Sequence, residues 1–88
     1  MMVMTQTAAH RSSPETVTAL DSLALIARNV HQLRIVRKLS QAELGHLLAW
    51  PVARVGLVET AGDAGMTLDD LDAVSAALGV QPYALFAV

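Results

Sequence analysis

The side chains that could do chemistry are few in this sequence and lie far apart. It contains no cysteine, which excludes disulfides, thiolate nucleophiles and the common zinc fingers. His10, His31 and His46 follow no spacing typical of metal ligands. The acids within 69–72 fit a helix start, where negative charge is favourable, better than a metal site. The sequence also lacks a glycine-rich phosphate loop and any evident pair of facing carboxylates. It therefore predicts no enzyme, no metal and no cofactor.

Binding is the remaining chemistry, and the distribution of charge bears on it. The 88 residues have a net charge of −2, which argues weakly against a nucleic-acid partner. However, all six basic residues lie within 1–54 together with three acids, so this stretch carries +3. Residues 55–88 contain five acids and no Lys or Arg, and carry −5. The basic first part keeps nucleic acid among the possible partners.

The elements that would position a binding surface are predicted to be helices. Hydrophobic residues make up 53% of the chain, whereas Phe, Trp and Tyr occur once each, and this composition favours an all-helical domain over a sheet. We recognise no signal peptide and no membrane span, so we expect a cytoplasmic protein without membrane contact. Residues 1–13 lack periodicity and are predicted to be a flexible tail, followed by a single domain over 14–88.

The first helix boundaries can be placed from capping residues. The sequence at 13–15 is typical of a helix start, with a hydroxyl residue, a proline and an acid. The apolar positions that follow allow either one helix over 14–38 or two helices that meet near Asp21. A capping box at 40–43 predicts a separate helix over 41–48.

Three further helices are predicted after a break at 50–51, because the residue before a proline avoids helical angles. The first of them covers 51–59 and is followed by a loop. The second begins with a box-like start and covers 67–78, where a glycine ends it. The third is short, and we expect its Tyr83 and Phe86 to lie in the core or in the seam of a dimer.

The helices over 41–48 and 51–59 are joined by about three residues, which is the helix-turn-helix arrangement. Two helices that cross closely need a small residue at the crossing, and Gly45 supplies it. Trp50 lies in the turn, where an apolar residue can plug the core. Four apolar residues can fill the angle between the two helices: Leu44, Leu48, Val55 and Val58.

The chain resembles the phage-repressor (Cro/repressor-like, xenobiotic-response-element) helix-turn-helix domains. The resemblance extends from about Leu25 to Phe86. The matching segments read IARNVHQLRIVRKLSQAELGHLLA, then VGLVE, then MTLDDLDAVSAALGVQPYALF. The resemblance implies an all-α, five-helix domain, here with an extra N-terminal helical segment, that is often a homodimer and places its third helix in the major groove of double-stranded DNA.

Several site residues follow from the resemblance by position. Gln41 looks like a phosphate contact at a helix start. Thr60 stands where a phosphate contact often lies, and Lys38 is a further candidate, although the cations near it also fit a solvated surface. Arg34 and Glu59 resemble the family's internal ion pair. The residues on the groove-facing side of the third helix are Pro51, Val52, Ala53, Arg54 and Leu57.

The sequence departs from the family pattern on this groove-facing side. Base reading needs hydrogen-bond donors and acceptors, and only Arg54 supplies them there. Val52, Ala53 and Leu57 offer at best apolar contact, for example with thymine methyl groups. Lys38 and a residue at 49 also stand where the family usually has glycine in a left-handed turn.

Two functions therefore follow from the sequence. The first is a sequence-specific DNA-binding transcriptional regulator, a small repressor of bacterial or phage type. The second is a helix-turn-helix scaffold that binds a protein partner, as an antitoxin or anti-regulator does, through an exposed apolar patch at Leu47, Val52 and Leu57.

Overall fold

The structure, a computed structural model, describes residues 14–88. The described residues form four α-helices and a short 3-10 helix, and they contain no strand. The predicted flexible tail over 1–13 lies outside the described residues. None of the described helices is long and apolar enough to cross a membrane. The elements in chain order are α1 (Pro14–Val36), α2 (Gln41–Leu48), α3 (Val52–Thr60), α4 (Leu68–Leu78) and the 3-10 helix (Pro82–Phe86).

α1 is one continuous helix, so the alternative of two helices meeting near Asp21 does not hold. It ends at Val36, two residues before the predicted end. The reason is Lys38, whose φ of 61° is left-handed and cannot continue a helix. The main-chain amide of Leu39 then donates to the carbonyl of Arg34, which closes the turn into α2.

α2 and α3 begin and end close to the predicted residues. The capping box of α2 is present: the Glu43 amide donates to Ser40 Oγ at 2.9 Å, and the Ser40 amide donates to Glu43 Oε1 at 2.7 Å. Ala49 ends α2 with a left-handed φ of 57°. α3 begins at Val52 rather than 51, because Pro51 keeps an extended ψ of 145° as the N-cap residue.

The last two elements differ in regularity. α4 begins with a second capping box, between Thr67 and Asp70, and ends at Gly79, whose φ of 74° is left-handed. The last predicted helix is a 3-10 helix of five residues. The prediction of five α-helices therefore becomes four α-helices and one 3-10 helix.

The core lies where α1, α4 and the 3-10 helix close over the α2–α3 pair. The 3-10 helix contributes Leu85, which is fully buried, whereas Tyr83 and Phe86 are exposed, so of their two predicted places the core does not hold. Asn29 on α1 holds this segment, since its side-chain amide donates to the carbonyls of Leu85 at 2.8 Å and Ala87 at 2.9 Å. The buried core residues are Ile26, Val30, Leu44, Val55, Val58, Val74, Leu78 and Leu85.

Candidate nucleic-acid interface

The crossing of α2 and α3 is tight at Gly45. A Cβ atom at this position would lie 2.9 Å from the carbonyl oxygen of Trp50 and 3.5 Å from a side-chain methyl of Val55. Gly45 is buried, and so is Leu44 beside it, while Leu48 and Trp50 pack against the core. The small residue at 45 thus allows α3 to lie against α2 and to turn its other side outward.

The outward side of α3 is apolar. Val52 is 51% exposed and Leu57 is 47% exposed. Pro51, just before Val52, and Ala53, just after it, are exposed as well. Four of the five residues predicted to face the groove therefore lie on an open surface.

Arg54, the fifth, is directed elsewhere. Its Nε donates to Asp63 Oδ2 at 3.0 Å, and its terminal NH2 group donates to Asp70 Oδ2 at 3.0 Å. The guanidinium carbon lies 3.9 Å from the centre of the Trp50 ring, at stacking distance. We refer to Trp50, Arg54, Asp63 and Asp70 as the outer cluster. It ties the start of α3 to the following loop and to the start of α4.

The two carboxylates of the outer cluster are also held by main-chain amides. The amide of Gly65 donates to Asp63 at 2.9 Å, and the amide of Thr67 donates to Asp70 at 2.9 Å. These amide bonds, followed by the bonds from Arg54, lower the pKa of both carboxyl groups below their ordinary values. The outer cluster therefore combines one cation with two carboxylates that stay ionised at neutral pH.

A second group, the inner cluster, consists of His31, Arg34, Gln41 and Glu59. Arg34 binds Glu59 in a bidentate manner, with Nε to Oε2 at 2.6 Å and NH2 to Oε1 at 2.9 Å. Its NH1 group donates to the carbonyl of Leu39 at 2.8 Å. The predicted partners are thus brought together, and the pair joins α1 to the end of α3.

Two further side chains reach the same carboxylate. The Nδ1 atom of His31 lies 3.0 Å from Glu59 Oε1, and Gln41 Nε2 donates to that oxygen at 3.2 Å. Burial raises the pKa of Glu59, but the hydrogen bonds from Arg34, His31 and Gln41 lower it further than burial raises it, so that the net shift is downward. Glu59 is thus an ionised carboxylate with several donors around it.

The predicted phosphate contacts are placed as follows. Gln41 is the first residue of α2, half-buried, with one amide hydrogen directed at Glu59. The hydroxyl of Thr60 donates to the carbonyl of Gly56 at 2.8 Å. Lys38 is exposed in the turn between α1 and α2, with the left-handed conformation expected for this position.

Sequence reasoning missed the roles of Asp63, Asp70 and His31. Asp70 could be recognised only as a capping residue, since it lies 16 residues from Arg54 along the chain. His31 lies on the exposed surface of α1; its Nδ1 is 3.3 Å from the NH2 group of Arg34 on the same helix, but its contact with Glu59 depends on how α3 packs. One signal in the sequence could have indicated the outer cluster: Arg54 is the last basic residue of the chain, and the segment 63–72 that follows α3 is rich in acids.

The comparisons with known proteins support the architecture. No family model matches the chain, and no match is found among curated proteins. The chain is similar to a solved structure, the crystal structure of the hypothetical transcription factor NHTF from Neisseria. The TM-score is 0.68 and the sequence identity is 29%, over 74% of each chain. The fold of this protein is therefore transcription-factor-like.

Proposed function

We propose that this protein is a helix-turn-helix DNA-binding transcriptional regulator of the phage-repressor type, which inserts α3 into the major groove. The observation that carries the proposal is the exposure of Val52, Ala53 and Leu57 on the outward side of α3, in a fold similar to that of a hypothetical transcription factor. A helix presented in this way fits the width of the major groove.

The phosphate contacts come from the residues around this face. The capping box uses the amides of Ser40 and Glu43 and leaves those of Gln41 and Ala42 at the start of α2 for an anion. Gln41 also has one side-chain N–H beyond the one donated to Glu59. Lys38 adds a positive charge before α2, and Thr60, at the end of α3, can donate to phosphate when its hydroxyl leaves the carbonyl of Gly56. Such contacts set the orientation of the protein on DNA, while Pro51 and the outward side chains of α3 approach the base edges.

The regulator acts as a homodimer. In a two-fold dimer, the two copies of α3 enter successive half-sites about 34 Å apart and block a promoter sterically. The exposed Tyr83 and Phe86, beside the C-terminal Val88, supply an apolar surface for this contact. Sedimentation equilibrium of the wild type and of Tyr83→Gln should give a dimer and a weakened dimer, respectively; a monomer at all concentrations would contradict the dimer.

The DNA-binding proposal is tested by selection from fragmented genomic DNA of the source organism at low and near-physiological salt. We expect a short inverted repeat to be enriched and to survive the higher salt. Leu57→Gln should lose the enrichment. Ile35→Gln, which changes a side chain of similar exposure on α1, should keep it. Recovery without sequence preference, lost as salt rises, would contradict specific regulation.

A second function, binding of a protein partner, is favoured by one specific observation. Arg54 is held by Asp63 and Asp70, which leaves Leu47, Val52 and Leu57 as exposed apolar side chains on the α2–α3 pair. An apolar patch of this kind is typical of a protein contact. If selection on DNA yields no preferred sequence, a partner chain captured by the wild type and lost with Leu57→Gln would support this function.

A further inference from the structure

Arg54, Thr60 and Gln41, the polar side chains around the outward face of α3 named above, each donate to a partner within the protein. Arg54 donates from Nε to Asp63 and from NH2 to Asp70, each at 3.0 Å. The hydroxyl hydrogen of Thr60 is donated to the carbonyl of Gly56, and the Gln41 amide is directed at Glu59. The two ion pairs and the stacking contact on Trp50 therefore hold the Arg54 guanidinium in place, so that it could reach a base only through the N–H groups they leave unused.

The outward face of α3 would present methyl groups to the DNA major groove. Val52, Ala53 and Leu57 are exposed on α3: Ala53 and Leu57, four residues apart, share one face, and Val52 at the start of the helix lies about 100° around the axis from Ala53. Such groups neither donate nor accept hydrogen bonds. The one apolar group on the major-groove edge of standard B-DNA is the 5-methyl of thymine.

We infer that α3 discriminates DNA sequences through thymine 5-methyl groups, with Val52, Ala53 and Leu57 as the specificity-determining residues. The inference rests on the proposed DNA-binding function and names the feature of the DNA that is read. The outer cluster supports this mode, since Asp63 and Asp70 compete with guanine for the Arg54 guanidinium. Operator half-sites then contain thymines at the positions that α3 covers.

The test uses the duplex enriched in the genomic selection. Each thymine of one half-site is replaced in turn by uracil, which removes the 5-methyl and leaves every hydrogen-bonding group in place. Binding is measured by fluorescence anisotropy. At one to three positions we expect the dissociation constant to rise about fourfold per methyl, which corresponds to the lost burial of one methyl group. Elsewhere it should change by less than a factor of about two.

A protein variant assigns the effect to a side chain. Val52→Thr replaces one of two methyl groups by a hydroxyl on an exposed position, and it should reduce the difference between thymine and uracil at its own position alone. Ile35→Thr on α1 is the matched control, since Ile35 is 53% exposed and Val52 is 51% exposed. It should retain every thymine preference. The melting temperatures of both variants, followed by circular dichroism, establish that they are folded.

The outcomes separate this inference from the proposed function. An enriched sequence bound equally well with uracil at every position would overturn methyl reading while leaving a DNA-binding regulator. Loss of binding with Arg54→Met, in a folded variant, together with no uracil effect would assign base reading to Arg54 instead. Absence of any enriched sequence would overturn both, and the apolar face would then belong to a protein contact.

Discussion

The inner and outer clusters use the same chemistry, an arginine with carboxylates, in two different environments. In the inner cluster the side chains of Arg34 and Glu59 are 9% and 1% exposed. In the outer cluster the side chain of Arg54 is 30% exposed. A buried pair depends strongly on both partners, because a lone buried charge is costly, whereas a partly exposed pair can exchange its partner for water at little cost.

This difference separates two tasks at the two ends of α3. The inner cluster fixes the end of α3 to α1 and to the start of α2, and so holds the helix-turn-helix geometry. The outer cluster fixes the α3–α4 loop and decides which side chains at the start of α3 are presented to the outside. The first task concerns folding, and the second concerns what the surface can recognise.

The largest expected effect comes from breaking the inner pair. Glu59→Gln leaves the Arg34 guanidinium buried without its counter-charge, and the free energy of unfolding should fall by about 3–5 kcal/mol. Urea unfolding followed by circular dichroism measures this change. Glu43→Gln is the matched control, since glutamine can keep the capping box, and it should change stability by less than about 0.5 kcal/mol. Equal effects of the two substitutions would contradict the assignment of a buried pair.

Acid should weaken the same pair. The pKa of Glu59 is lower in the folded protein than in the unfolded chain, so its contribution is present above the ordinary glutamate value of about 4.3 and is lost as pH falls through the folded pKa. Stability measured from pH 7 to pH 3 should therefore decline more steeply for the wild type than for Glu59→Gln. Asp63 and Asp70 add a decline below about 3.9 in both proteins. Parallel curves would show that Glu59 is not the group responsible.

Breaking the outer cluster should cost less stability. Arg54→Met removes the stacking on Trp50 and the partly exposed pair with Asp63, and we expect a loss of about 1 kcal/mol from these two contacts. Hydrogen exchange should rise in the 61–67 loop and remain unchanged near Glu59. Arg37→Met, which removes one long hydrogen bond to the Gly79 carbonyl at 3.3 Å, serves as a control with a smaller effect. A loss as large as that of Glu59→Gln would remove the distinction between the clusters.

The smallest change should be stabilising. A Cβ atom at Gly56 would meet nothing nearer than the Gln41 side chain at 3.9 Å, so Gly56→Ala should add roughly 0.5–1 kcal/mol by its greater helix propensity. Gly45→Ala also adds one methyl group, but this group would clash with the Trp50 carbonyl oxygen, so this substitution should destabilise the protein. Thermal unfolding of both variants measures the contrast. Destabilisation by Gly56→Ala would mean that the added methyl group disturbs the Gln41 side chain of the inner cluster.

Local features of the sequence predicted much of the fold. The two capping boxes, at Ser40 and Thr67, depend on residues three apart, and they place the starts of α2 and α4 correctly. The glycine at 45 indicated the close crossing for a steric reason. The end of α1 was predicted two residues too late, because Lys38 adopts a positive φ that a helix cannot continue.

The candidate site could be predicted only in part, since its contacts are distant in sequence. Arg34 and Glu59 were paired through the family resemblance, not through their spacing of 25 residues. The partners of Arg54 depend on how the 61–67 loop turns back toward α3, which no local pattern specifies. The assignment of Tyr83 and Phe86 to the core failed because a 3-10 helix buries Leu85 and leaves its neighbours outside.

We propose above that α3 and the start of α2 form the DNA-binding surface. The most direct test is the titration of isotope-labelled protein with a 20-base-pair duplex of mixed sequence at low salt, followed by amide chemical shifts. We expect the changes in amide chemical shift to be concentrated at Gln41, Val52, Ala53 and Leu57, with little change on the Tyr83 and Phe86 surface. No shifts at low salt, or shifts confined to α1 and the 3-10 helix, would contradict it.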